Sequence, residues 1–125
     1  MQEDRRSRRH WVSGLLSLVL LAGAAQTAWA HAILKESTPK PDSTVKGPAL
    51  TILLRFNVRI DASRSRVRLL GPDGSVTTLG IAKQTAPDSL ETTANGLKPG
   101  AYRLRWQVLA SDGHMTSGEI PFTVN

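Results

Sequence analysis

Two short segments near opposite ends of the sequence carry nitrogen and oxygen groups that can bind a metal ion. His31 directly follows Ala28-Trp29-Ala30, a typical signal-peptide cleavage site, so it is the expected first residue of an exported protein. A free α-amine, whose reference pKa is about 7.7 to 8.0, can chelate a metal ion together with the imidazole Nδ1 of the same residue. Near the other end, Ser111-Asp112-Gly113-His114 offers a second imidazole and a carboxylate. We therefore predict a metal site formed by His31, Asp112 and His114.

The metal predicted for these groups is copper in its divalent state. The sequence contains no cysteine, which excludes thiolate sites for soft metals. A nitrogen-rich ligand set with one carboxylate suits Cu(II), which also heads the affinity order of the divalent first-row ions. Each segment also has an explanation without a metal, because Asp-Gly is a common turn sequence and a histidine in a loop is usually only solvated.

Residues 1–30 contain the three zones of a secretory signal peptide in the required order. Arginines precede an apolar stretch over 15–25, and small residues complete the cleavage site. A retained membrane anchor is the alternative, but polar residues and glycines interrupt a stretch barely as long as the roughly 20 apolar residues of a spanning helix. We predict a cleaved signal peptide over 1–30 and one exported domain over 31–125. Ser7-Arg8-Arg9-His10-Trp11-Val12 is similar to a twin-arginine signal, so the general secretory route and the folded-protein route both stay open.

Removal of residues 1–30 would lower the formal net charge from +6 to +4, because that segment holds four of the 16 basic residues and two of the ten acidic ones. An exported protein does not meet nucleic acid, and aromatic residues for base stacking are few. We therefore expect no nucleic-acid partner and attribute the arginines to solvated strand faces. The remaining domain has no disulfide, so packing alone must hold it together.

The elements that must position the candidate ligands are strands. Apolar and polar residues alternate in four runs, and no window keeps a helical period. The runs are Leu50–Phe56, 66–69, 102–108 and 120–124. Turn sequences separate the strands at short intervals, and Asp73-Gly74 predicts a hairpin between 67–70 and 76–79. About seven such strands indicate an all-β fold with a single antiparallel, immunoglobulin-like β-sandwich.

Three local expectations concern how the strands present the ligands. Asp112 and His114 follow a strand that ends near residues 109–110, and they would either share one face of an extended strand or be brought together by a turn at Gly113. We place His31 at the start of the first strand. Pro121 predicts that the last strand begins irregularly, because proline removes a hydrogen-bond donor from the ladder.

At these residues the chain resembles the copper resistance protein CopC family of small periplasmic copper carriers. The similarity covers essentially all of 31–125. It rests on His31-Ala32, Ser37-Thr38-Pro39, Leu54-Arg55-Phe56, Leu97-Lys98-Pro99-Gly100-Ala101-Tyr102, Trp106, Ser111-Asp112-Gly113-His114, Gly118 and Phe122. The resemblance implies a seven-stranded Greek-key β-sandwich. It also implies that Cu(II) is bound by the amine and imidazole of His31 and by the imidazole of His114, with Asp112 as the fourth or axial ligand.

The chain differs from some members of that family at two places. Some relatives carry a methionine-rich loop that binds Cu(I), whereas Met115 is the single methionine of residues 31–125. Some also carry a glutamate shortly after the phenylalanine that Phe56 matches, whereas this chain has Asn57-Val58-Arg59. We therefore expect a form that binds Cu(II) only.

The predicted function is that of a monomeric, non-enzymatic Cu(II) carrier or buffer for copper homeostasis or resistance. The family resemblance implies an inner-membrane copper importer of the CopD type as the recipient. Two alternatives stay open. A copper oxidase of the histidine-brace type also uses an amino-terminal histidine, although the short domain leaves little room for its extended substrate face. A metal-free β-sandwich interaction module would lose no metal binding when His31 and His114 are replaced.

Overall fold

The computed structural model describes residues 31–125 as an all-β domain. The predicted signal peptide over 1–30 lies outside the described residues. The strands are β1 (Leu34–Thr38), β2 (Ser43–Val45), β3 (Leu50–Phe56), β4 (Ile60–Leu70), β5 (Val76–Leu79), β6 (Ser89–Ala94), β7 (Gly100–Ala110) and β8 (Met115–Val124). Over residues 31–125 the structure contains no helix with the length and hydropathy needed to cross a bilayer.

The strands form two sheets, as predicted for a β-sandwich. One sheet has the order β1-β3-β6, and the other has the order β2-β8-β7-β4-β5. Within 31–125 the paired strands are antiparallel except β2 and β8, which run parallel. The sequence pattern did not indicate β2, because three residues are too few to show alternation. The first of them, Ser43, also belongs to the predicted turn sequence Pro39-Lys40-Pro41-Asp42-Ser43.

The core lies between the two sheets and contains the apolar residues of the alternating runs. The indole ring of Trp106 on β7 packs edge-on against Phe56 on β3, with ring centroids 5.1 Å apart. Burial of a large apolar side chain stabilises a fold by about 1.5–3 kcal/mol. The larger apolar core side chains with at most 2% exposure include Phe56, Ile52, Leu54, Val67, Leu90, Leu104, Val108, Ile120, Phe122 and Val124. The predicted inward faces of β3, β7 and β8 are thus confirmed.

The predicted hairpin around Asp73-Gly74 is also confirmed. Leu70 pairs with Val76 at the end of the β4–β5 ladder, and Gly74 takes a φ of +81° in the loop between them. Glycine reaches this backbone conformation without a steric penalty, which explains its position in the turn.

The expectation of an irregular start to the last strand is wrong. β8 keeps one register against β7 along its whole length, with Pro121 opposite Arg103. The carbonyl of Pro121 accepts a hydrogen bond from the Asp42 N–H, so the backbone groups of Pro121 face the β2 side of the strand. The β2–β8 ladder begins only at Phe122, so the missing N–H of Pro121 removes no ladder bond.

Three segments that concern the candidate site lie at the same end of the sandwich. The β7–β8 ladder extends to the pair Leu109–Met115, which puts the β7–β8 loop at this end. β4 begins there, because Ile60 pairs with Ala110. β1 also begins there, because Leu34 pairs with Phe56 at the end of β3. Residues 31–33, 57–59 and 111–114 are therefore neighbours in space.

Candidate metal site

The imidazole rings of His31 and His114 face each other at this end of the sandwich. Their centroids are 5.7 Å apart, and the ring planes meet at 79°. With a metal–nitrogen bond of about 2.0–2.1 Å, two imidazoles on one ion have centroids roughly 4.5 to 6.4 Å apart, depending on the angle between them. The observed separation falls in that range.

His114 is held by a tight turn between β7 and β8. The Gly113 N–H donates to the Ala110 carbonyl at 2.9 Å, and the Ala110 N–H donates to the His114 carbonyl at 2.9 Å. Gly113 takes a φ of +86°, which favours glycine at this position. Of the two arrangements that the sequence left open for Asp112 and His114, the structure has the turn.

Asp112 contacts His114 through both of its carboxylate oxygens. Oδ1 accepts the His114 backbone N–H at 3.0 Å, and Oδ2 lies 3.3 Å from the His114 Nδ1. The hydrogen bond from the His114 N–H, together with the nearby histidine side chains, keeps the pKa of Asp112 below its ordinary value although partial desolvation opposes this. A carboxylate that stays ionised can bind a cation directly or hold an adjacent imidazole in position.

His31 lies in a short arm that precedes β1, not at the start of a strand. β1 begins at Leu34, three residues later than predicted. The arm is nevertheless ordered, because the Ala32 side chain is only 2% exposed and Ile33 pairs with Asn57. The sequence did not indicate a role for Asn57, which entered the comparison with the family only as a position without an acidic group. Its role in holding the arm depends on a contact across 24 residues, which no local pattern signals.

The described side chains do not complete a metal site by themselves. Within 31–125 no set of three or more His, Cys, Asp and Glu side chains is close enough to hold a metal ion. A metal site here would need a further donor, and cleavage before His31 would create one in the form of the α-amine. The exposed Met115 follows His114 and brings the one thioether that the sequence has in this part of the chain.

Comparisons with known proteins agree on one family. Residues 34–125 match the family model described as the CopC domain. The chain is 32% identical over 115 residues to Copper resistance protein C of Xanthomonas campestris pv. juglandis, covering 86% of this chain and 90% of that protein. It is 29% identical over 127 residues to Protein YobA of Escherichia coli (strain K12), covering 99% of each. The crystal structure of CopC from Methylosinus trichosporium OB3b is similar with a TM-score of 0.71 and 29% identity, over 76% of this chain and 94% of that one.

Proposed function

Because the chain belongs to the CopC family, whose function is related to copper, we propose that it is an exported carrier or buffer of Cu(II). It binds one ion at the end of the sandwich where His31 and His114 meet. It serves copper homeostasis or resistance in the periplasm and acts there as a monomer.

Support comes chiefly from the approach of two imidazoles that are far apart in the sequence. They are the only histidine side chains that the sequence has in 31–125, and the fold brings their centroids to 5.7 Å. Nitrogen ligands with one carboxylate and no thiolate match the preference of Cu(II). A metal-free interaction module would give no reason for this convergence.

The three residues contribute different groups to the proposed site. His31 contributes two atoms, its α-amine and Nδ1, so ordering one residue supplies two ligands. His114 contributes one nitrogen, and we assign Nε2 because Nδ1 lies beside the Asp112 carboxylate. Asp112 provides the fourth or axial oxygen, or orients the His114 ring from behind.

The surroundings of the site suit exchange of the ion with a partner. The side chains of His114 and Asp112 are 35% and 23% exposed, so an incoming ligand can reach the ion. Neutral nitrogens and one carboxylate leave bound Cu(II) with a single net positive charge. We propose that copper passes by ligand replacement to an inner-membrane importer of the CopD type, and that the protein catalyses no reaction. Copper-dependent consumption of peroxide in the presence of a reductant would contradict the last point.

The decisive experiment titrates Cu(II) into the chain that begins at His31 and into a matched chain with one alanine added before His31. A chelator of known affinity competes in both titrations. The proposed function predicts tight one-to-one binding to the first chain and a loss of at least about 100-fold in the second, because the added residue removes the α-amine from His31. Equal weak binding by both chains would overturn the proposed site.

A further inference from the structure

The turn between β3 and β4, residues 57–59, contacts both segments that carry the histidines. We propose that Asn57 is a positioning residue, which clamps the amino-terminal arm so that His31 is presented to His114. This inference rests on the proposed function and adds a residue that does not touch the ion.

Asn57 holds Ile33 by two hydrogen bonds in opposite directions. The side-chain Oδ1 of Asn57 accepts the Ile33 N–H at 2.7 Å, and the Asn57 N–H donates to the Ile33 carbonyl at 3.0 Å. Both backbone groups of Ile33 are thereby fixed, although β1 begins only at the next residue. Of the residues that the structure describes, only His31 and Ala32 precede the clamp, and Ala32 is buried. The clamp therefore limits where the His31 ring can go.

The same turn, residues 57–59, also contacts the β7–β8 loop that carries His114. The Ser111 N–H donates to the Arg59 carbonyl at 3.0 Å, and Ala110 pairs with Ile60 immediately after the turn. Val58 is half-buried and packs against the core, which anchors the turn between its two contacts. The distance between the His31 and His114 rings is thus set through three consecutive residues.

Loss of the Asn57 side chain should loosen the arm without unfolding the domain. Asn57 and Ile33 are both exposed, so water can replace the side-chain bond when it is removed. A site binds its ion only while the ligands are in the binding-competent arrangement. Its apparent affinity therefore falls in proportion to the fraction of time that the ligands spend in that arrangement. We expect Asn57→Ala to lower the Cu(II) affinity about tenfold, within the range of about 10–100-fold seen for residues that orient metal ligands.

The test compares three variants of the chain that begins at His31. Asn57→Ala removes the acceptor, and Asn57→Asp keeps an oxygen at the same place. Asn95→Ala makes the same truncation in the β6–β7 loop at the opposite end of the sandwich. Two quantities are measured: hydrogen exchange of the Ile33 backbone N–H in the metal-free protein, and Cu(II) affinity by chelator competition.

We expect Asn57→Ala to speed Ile33 exchange about tenfold or more and to weaken copper binding, whereas Asn95→Ala changes neither quantity. Asn57→Asp should restore the slow exchange. Faster exchange with unchanged copper affinity would overturn the positioning role, and unchanged exchange would overturn the clamp itself. If the parent chain fails to bind copper, the proposed function fails together with the positioning role, while the exchange data still decide whether Asn57 orders the arm.

Discussion

The indole ring of Trp106 lies directly over Gly118 on the neighbouring strand, where there is no room for a side chain. A Cβ atom at position 118 would clash with Cζ2 of Trp106 and would lie 2.7 Å from its Cε2. The ring is also packed against Phe56, so it cannot simply move away. Both Trp106 and Gly118 are among the residues that carry the resemblance to the CopC family.

We predict that Gly118→Ala destabilises the domain by about 1–3 kcal/mol, the usual cost of adding a carbon to a filled core. Urea unfolding followed by the fluorescence of Trp106 measures this change. Gly80→Ala is the matched control, because a Cβ there meets no atom within 4 Å. Equal stabilities of the two variants would show that the Trp106 ring relocates at no cost.

Tyr102 secures the loop at the opposite end of the sandwich. Its hydroxyl donates to the Lys98 carbonyl at 2.9 Å and accepts the Lys98 N–H at 3.0 Å, while its ring stacks on Phe122 with centroids 5.5 Å apart. Tyr102→Phe keeps the stacking and removes both hydrogen bonds, so we predict a loss of about 1 kcal/mol in the free energy of unfolding. Copper affinity should stay unchanged, because the loop lies far from His114. A variant as stable as the parent in urea would contradict this account.

Asp112→Asn removes the negative charge of the carboxylate but keeps an oxygen that can take part in the β7–β8 turn. An amide oxygen can still accept the His114 N–H, so the β7–β8 turn should persist, but the negative charge beside the ion is lost. We expect Cu(II) affinity to fall about 10–100-fold, measured by chelator competition with quenching of Trp106 fluorescence as the signal. Asp73→Asn is the control, because Asp73 makes the equivalent bond to the Ser75 N–H in the β4–β5 loop. An equal loss in both variants would point to a general effect of charge rather than to a site.

Glu119 links two arginines on the solvent face of the five-stranded sheet. Its carboxylate accepts hydrogen bonds from Arg105 and Arg103, and these contacts lower its pKa from the ordinary value of 4.5. The ionised form is therefore favoured in the folded state. Its contribution to stability is fully present above the unfolded pKa near 4.5 and is lost as the pH falls through the lower folded value.

Glu119→Gln should accordingly lower the melting temperature slightly at neutral pH, and the difference from the parent should shrink below about pH 4.5. High salt should also reduce it, because the pairs are exposed. Melting curves of both proteins across the acidic range provide the measurement. A difference that stays constant with pH would show that the charge of Glu119 is not the cause.

The amino-acid sequence by itself determined the features that depend on neighbouring residues. Period-two alternation identified β3, β7 and β8 and their buried faces, since the pleat sends successive side chains to opposite sides of a sheet. Asp73-Gly74 marked the β4–β5 hairpin because glycine accepts a positive φ. The residues of the candidate site came from the chemistry of an amino-terminal histidine and an Asp-Gly-His turn, and their role as ligands stays a prediction.

The tertiary structure decided what depends on contacts between distant segments. β2 exists because its three residues find a parallel partner in β8, and Pro121 is tolerated because its backbone faces a part of the edge that β2 does not pair with. The separation of His31 from His114 follows from the clamp at Asn57 and the bond from Ser111 to Arg59. The local hydrophobic pattern predicts neither contact. Hydrogen bonds between loops depend on the packed sheets, which bring the loops together.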